Sequence, residues 1–165
     1  MNYGRAHNAY RQAAVQAEIH PVKLIHMMYD GILTFLDHAI IGMEQNDPRK
    51  RGENIGKAIG LISELNASIK GDDHSESAMF LHGLYESILV ELPKASIRND
   101  MQIVGQTRKY IEELKKIWEK TAMHEHGFEL YLHKKEAESS LPGGREYQGL
   151  SPAEATMARG VSFSI

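Results

Sequence analysis

The sequence predicts an all-α protein: an antiparallel four-helix bundle with a short N-terminal helical arm and an irregular or partly helical C-terminal extension. Three observations carry this expectation. Apolar residues recur with a period near 3.6 along most of the chain, alternation with period 2 is nearly absent, and Pro, Gly and Asn-Asp signals break the pattern into long segments with short connections. Amphipathic segments joined that closely bury their apolar stripes by folding back on one another.

The elements follow in order. Residues 1–20 form the arm, in which Tyr10, Ala13, Ala14 and Ala17 make an apolar stripe too thin to hold a helix alone, so the segment is expected to pack on the bundle. Residues 21–122 form the bundle. Pro21 suits a first helical turn, where a missing N–H costs nothing, and the first helix carries Ile25, Met28, Tyr29, Ile32, Leu36, Ala39, Ile40 and Met43 on one face before Asn46-Asp47-Pro48 stops it. The second, from about Arg49 to Ile69, buries Ile55, Ala58, Ile59, Ile62, Leu65 and Ile69, and Gly71-Asp72-Asp73 ends it. The third starts near Ser75 and keeps Leu81, Leu84, Tyr85, Ile88, Leu92 and Ala95 in register. Asn99-Asp100 caps the fourth, where Val104, Thr107, Ile111, Leu114 and Trp118 follow a 3-4 spacing. Residues 123–165 form the extension: a helical stretch over Phe128 to Ser139, a Leu141-Pro142-Gly143-Gly144 linker, and two turns from Ser151 to Gly160.

Composition removes several function classes. The 165 residues fit one domain with an appendage, 42% hydrophobic residues supply a core, and 25% charged residues keep the surface wet. Without an uninterrupted apolar run of about 20 residues, a bilayer crossing is not expected. Cysteine is absent, which excludes disulfides, thiolate metal sites and thiol nucleophiles. Met1-Asn2-Tyr3-Gly4-Arg5 leads into polar residues rather than an apolar signal core, so a cytoplasmic location is expected. A net charge of -3 with scattered Lys and Arg argues against nucleic acid as partner, and Arg49-Lys50-Arg51 reads as a solvated helix start.

Catalytic chemistry finds no foothold. A carboxylate-bridged di-iron bundle needs Glu-x-x-His pairs, and the chain has none. Phosphate-cradling glycine loops, dinucleotide fingerprints and nucleophile elbows are also missing. His124, His126 and His133 leave a histidine-based metal site as an alternative, but no companion carboxylate pattern supports it. The expectation is therefore no enzyme, no cofactor and no metal.

Apolar surface in excess of one stripe per helix is the informative feature. With 100° of rotation per residue, Met27 and Ile41 fall nearly opposite the core stripe of the first helix, with Leu24 and Phe35 on the flank toward them. On the fourth, Ile103, Tyr110 and Ile117 recur every seven residues beside the core stripe. A second face needs a second partner. Either the N-terminal segment or a five-helix arrangement covers these residues, or they line a groove for amphipathic helices of another protein.

The segments "HPVKLIHMMYDGILTFLDHAI", "NIGKAIGLISELNASI", "LYESILVEL", "SIRND" and "LKKIWEK" occur in an order that resembles the flagellin-export chaperone family, FliS, from about Tyr10 to Ala122. The resemblance implies a cytosolic bundle that binds the disordered C-terminal region of flagellin, prevents premature polymerisation and delivers it to a membrane protein of the flagellar type III export gate. It also implies that Tyr10 and Val15 lie near the binding surface. The candidate client-binding set is thus Tyr10, Val15, Leu24, Met27, Phe35, Ile41, Ile103, Tyr110 and Ile117. Self-association through the second stripes is the alternative use of the same residues.

Three features depart from the family pattern. Pro93 interrupts the third helix and is expected to kink it near Leu89. Gly52, Gly56 and Gly60 line one face of the second helix, pointing either to a close backbone approach or to a marginal helix. Residues after Met123 have no counterpart; Met157, Val161, Phe163 and Ile165 there are either an internal substitute for the client or part of a disordered extension.

Overall fold

The computed structural model describes residues 19–140, which are all-α with no strand among them. Helices α1 (Pro21–Glu44), α2 (Pro48–Ser68), α3 (Glu76–Arg98) and α4 (Met101–Trp118) are followed by a π-helical turn, Glu119–Met123, and by α5 (Glu129–Ser139). The N-terminal stripe, the glycine-rich linker, the two turns from Ser151 and the apolar C-terminal residues lie outside the described residues.

The helix boundaries have local causes. Asp47 accepts from the Lys50 N–H at 2.9 Å, with Pro48 at the first position of α2, and Ser75 accepts from the Ala78 N–H at 3.2 Å. Between α3 and α4 the corner is one residue pair. Asn99, with φ 54°, closes α3 in the left-handed conformation, and Asp100 caps α4 by accepting from the N–H groups of Gln102 and Ile103 at 3.1 and 3.2 Å. His20 caps α1 by accepting from the Val22 N–H through Nδ1 at 3.3 Å. Pro93 lies solvent-exposed inside a single α3 that runs on to Arg98.

Neighbouring helices run antiparallel. α1 meets α2, α2 meets α3, α3 meets α4, and α4 returns to α1. Cross-helix partners give the directions: Lys57 reaches the Phe35 ring while Gly42 meets Arg51, His82 meets Asn66 while Arg51 meets Asn99, and Arg108 meets Asp37 while Trp118 meets Val22. In each pair one number rises as the other falls. Ile32, Leu36, Ala39, Ala58, Ile62, Leu92, Ala95, Val104 and Ile111 are fully enclosed between them.

α1 is the central helix, and this corrects part of the face assignment. Leu24 and Phe35 are buried with the core, because α1 is packed by α2 on one side and by α4 and the π turn on another, so its buried arc is wider than one stripe. The same breadth explains why Pro21–Glu44 is long and apolar enough to cross a membrane by length and composition. Of its most apolar 18-residue stretch, 56% is buried inside the bundle.

Two polar details shape the packing. The Tyr29 and Tyr85 hydroxyls meet at 2.8 Å across the bundle between α1 and α3, and burial pushes both phenols above their ordinary range. Tyr29→Phe or Tyr85→Phe alone strands a buried hydroxyl and should cost about 1–3 kcal/mol, whereas the double change should cost less than the sum. Urea unfolding of the three variants measures this. The second detail is a glycine. A Cβ on Gly42 would lie 2.7 Å from the Arg51 backbone nitrogen, so here α1 and α2 touch backbone to backbone. At Gly52, Gly56 and Gly60 a Cβ would meet nothing within 4 Å, so no described part of the chain approaches that face.

Candidate functional site

α4 has three distinct sides. Val104, Thr107, Ile111 and Leu114 face the core. One flank is held to α1 by Arg108 on Asp37 at 2.5 Å, Lys115 on Asp30 at 2.8 Å, and the Trp118 Nε1–H donating to the Val22 carbonyl at 2.9 Å. Ile103, Tyr110 and Ile117 are rotated about 120–180° from Arg108 and Lys115, which turns them to the side of α3. Ile103 is half-buried against the core, but Tyr110 is 45% and Ile117 56% exposed.

α3 supplies the facing wall. Its α2 side is marked by His82, whose Nδ1 pairs with the Asn66 Oδ1 at 2.8 Å. Phe80 and Leu84 lie about 160–200° around the helix from His82, on the side of α4. Phe80 is 64% exposed and Leu84 half-buried. The α3–α4 seam is therefore a shallow groove with apolar side chains on both walls, and Glu91, about 180° from His82, shares the α3 wall with Phe80 and Leu84. Met79, Val90 and Ile97 are also exposed, on the outward side of α3.

These α3 residues were missing from the sequence-derived set. The signal was present, since Val90 and Ile97 are seven residues apart and the rotation that singled out α4 applies equally to α3. Of the α1 candidates, Leu24 and Phe35 belong to the core, while Met27 and Ile41 are partly exposed. They sit on α1, which adjoins α2 and α4 rather than the α3–α4 seam, so the structure places the α1 and α4 candidates on different surfaces. Tyr10 and Val15 lie outside the described residues.

A polar cluster closes the end of the bundle where α1 begins and α4 ends. His26 is buried, with Nε2 2.7 Å from Glu119 Oε1 and Nδ1 left without a hydrogen bond, 3.8 Å from Asp30. Burial works to raise the Asp30 carboxyl, but the hydrogen bond and charge of Lys115, with His26 and Lys135, hold it below the usual carboxylate range. Glu119 begins the π turn, which continues the α4 run to the α1 contact.

α5 then folds back over α1. Gly127, with φ 70°, makes the turn, and Phe128 donates its N–H to the Met123 carbonyl at 3.0 Å. The Phe128 ring lies 5.3 Å from His20, Tyr131 meets His26 edge-on at 5.7 Å, Lys23 Nζ sits 4.5 Å over Tyr131, and Lys135 pairs with Asp30 at 3.4 Å. The three histidines weighed for metal disperse: His124 lies 3.6 Å from Glu129, His126 beside His20, and His133 3.7 Å from Glu136. Among the described residues no group of three or more His, Asp and Glu is arranged to hold a metal ion.

Comparison with known proteins gives one consistent result. The family model described as "Flagellar protein FliS" matches residues 3–125. The chain is 31% identical over 114 residues to the flagellar secretion chaperone FliS of Salmonella typhimurium, covering 67% of this chain and 84% of that protein. It is 30% identical over 118 residues to flagellar secretion chaperone FliSB of Pseudomonas aeruginosa, covering 70% and 94%. With the chaperone FliS of Bacillus subtilis it shares 27% identity over 119 residues, covering 72% and 87%.

Proposed function

The chain belongs to the flagellar protein FliS family, and on that premise we propose that it is a non-enzymatic export chaperone of the cytoplasm whose client is the C-terminal region of flagellin. The observation that carries this reading is the α3–α4 groove, with Tyr110 and Ile117 exposed on one wall and Phe80 on the other. A row of anchors seven residues apart suits the stripe of an amphipathic helix.

The mechanism follows from what such a client is. A segment built to coil against neighbours in a filament is adhesive when released from the ribosome, and covering its apolar stripe removes the polymerising surface. The client orders as it binds, and that ordering opposes affinity, so the contact must extend over several helical turns. Tyr110 and Ile117 on α4, with Ile103 behind them, span two heptads and meet that requirement. Tyr10 and Val15 would extend the same surface from the arm, and delivery to an export-gate membrane protein would follow while the client stays unfolded beyond the bound segment.

Calorimetric titration of the full chain with a synthetic C-terminal flagellin segment tests the proposal. Saturable binding is expected, with a negative heat-capacity change from apolar burial. Sizing without client separates this from self-association: a stable dimer that resists client would replace the chaperone reading with an oligomerisation module.

A further inference from the structure

The outward face of α3 carries apolar side chains that the groove does not use. The buried Tyr85, Ile88, Leu92 and Ala95 mark its core side. Met79, Gly83, Glu86, Val90, Lys94 and Ile97 fall within about 80° of one another on the opposite side, and all six are exposed. Val90 is 54% and Ile97 84% exposed, and a Cβ on Gly83 would meet nothing within 4 Å. Val90 and Ile97 lie about 80–100° around α3 from Phe80, so this row is a separate surface from the wall of the groove.

The row is its own complement. With a two-fold axis at Val90 and a second α3 running antiparallel, residues equally far before and after Val90 face each other. Ile97, seven residues after, then meets Gly83, seven before, so an exposed isoleucine enters a position that has no side chain. Lys94, four after, meets Glu86, four before, so opposite charges flank the apolar centre, and symmetry makes each contact twice. In the single chain both charges have exposed partners that exchange at little cost: Lys94 Nζ is 2.7 Å from Glu91, and Glu86 is 3.7 Å from His82. Sliding one copy by a helical turn, so that Met79 meets Ile97, would press Glu86 onto Val90 in both halves and desolvate a carboxylate without a partner. The axis at Val90 avoids that cost.

We infer that the outward face of α3 binds a second copy of this chain, as an antiparallel α3–α3 pair with its two-fold axis at Val90, Ile97 set against Gly83 and Lys94 paired with Glu86 across the interface. A single pair of helices of this length buries less than the roughly 1,200–2,000 Å² of a standard stable complex, so the dimer is weak and reversible. The inference stands apart from the chaperone reading, because it uses a different surface.

Sedimentation equilibrium of the full-length chain without client, up to millimolar concentration, should show the mean mass rising from one copy toward two. Ile97→Asp should hold it at one copy with an unchanged unfolding midpoint, since the position is exposed. Glu86→Lys and Lys94→Glu should each weaken association about 10-fold, and the two together should restore it. The chain has no cysteine, so a single introduced thiol reports the register. Val90→Cys should form a disulfide-linked dimer under copper-phenanthroline oxidation, because the axis brings each residue 90 to its own copy. Met79→Cys should not, because its two copies stand about 33 Å apart along the helices. A chain that stays monomeric throughout, association untouched by Ile97→Asp, a double reversal as weak as the single ones, or equal cross-linking at positions 79 and 90 overturns the proposal.

Discussion

Changing Tyr110 and Ile117 together to Asp should weaken binding of a C-terminal flagellin segment by about 100-fold or more while leaving helix content and unfolding midpoint close to those of the natural chain. Each side chain removed would bury apolar area worth about 1.5–3 kcal/mol in a client complex, and each carboxylate introduced would have to be desolvated there. In the free chain both positions are exposed, so stability should shift by no more than about 0.5 kcal/mol each. Ile103 belongs to the same heptad row but packs against the core, so Ile103→Asp would mix lost binding with lost stability. Circular dichroism with the titration distinguishes these effects.

Gly42→Ala should destabilise the chain by about 1–3 kcal/mol, although alanine is the better helix former. The added methyl would meet the Arg51 backbone nitrogen at 2.7 Å, with the Arg51 Cα and the Lys50 carbonyl carbon at 3.2 Å, and backbone cannot swing aside as a side-chain tip can. α1 and α2 would have to separate at the corner where the Asp47 N–H donates to the Gly42 carbonyl at 2.8 Å. Gly56→Ala should do the reverse and stabilise by up to about 1 kcal/mol, because its Cβ enters open space on an exposed helix face. Thermal unfolding of the two variants should therefore move in opposite directions.

These glycines show where sequence reading reaches its limit. Periodicity and punctuation located the four bundle helices to within a residue or two, since Asp47, Ser75 and Asp100 cap by local chemistry that the sequence displays directly. A close approach between helices depends on which residues of two elements meet at their crossing. The sequence gives no sign that Gly42 is special and leaves the Gly52-Gly56-Gly60 row as either a close backbone approach or a marginal helix; among the described residues the close approach is at Gly42. Leu24 and Phe35 failed as surface candidates for a related reason: α1 is packed from more than one side, and rotation about a single axis cannot report how many neighbours surround it. The exposure of Tyr110 and Ile117 is legible because α4 has a strong, narrow core stripe against which a second row stands out. Phe80 was overlooked in a helix whose apolar residues are more evenly spread. The His26–Glu119 contact joins residues 93 positions apart and has no local signature at all.

That the α3–α4 groove captures the C-terminal region of flagellin is tested most directly by titrating the full-length chain and its Tyr110→Asp, Ile117→Asp variant with that segment side by side. Saturable binding to the natural chain and a loss of about 100-fold or more in the variant are expected. Equal affinities for the two, or no binding by the natural chain, would contradict it.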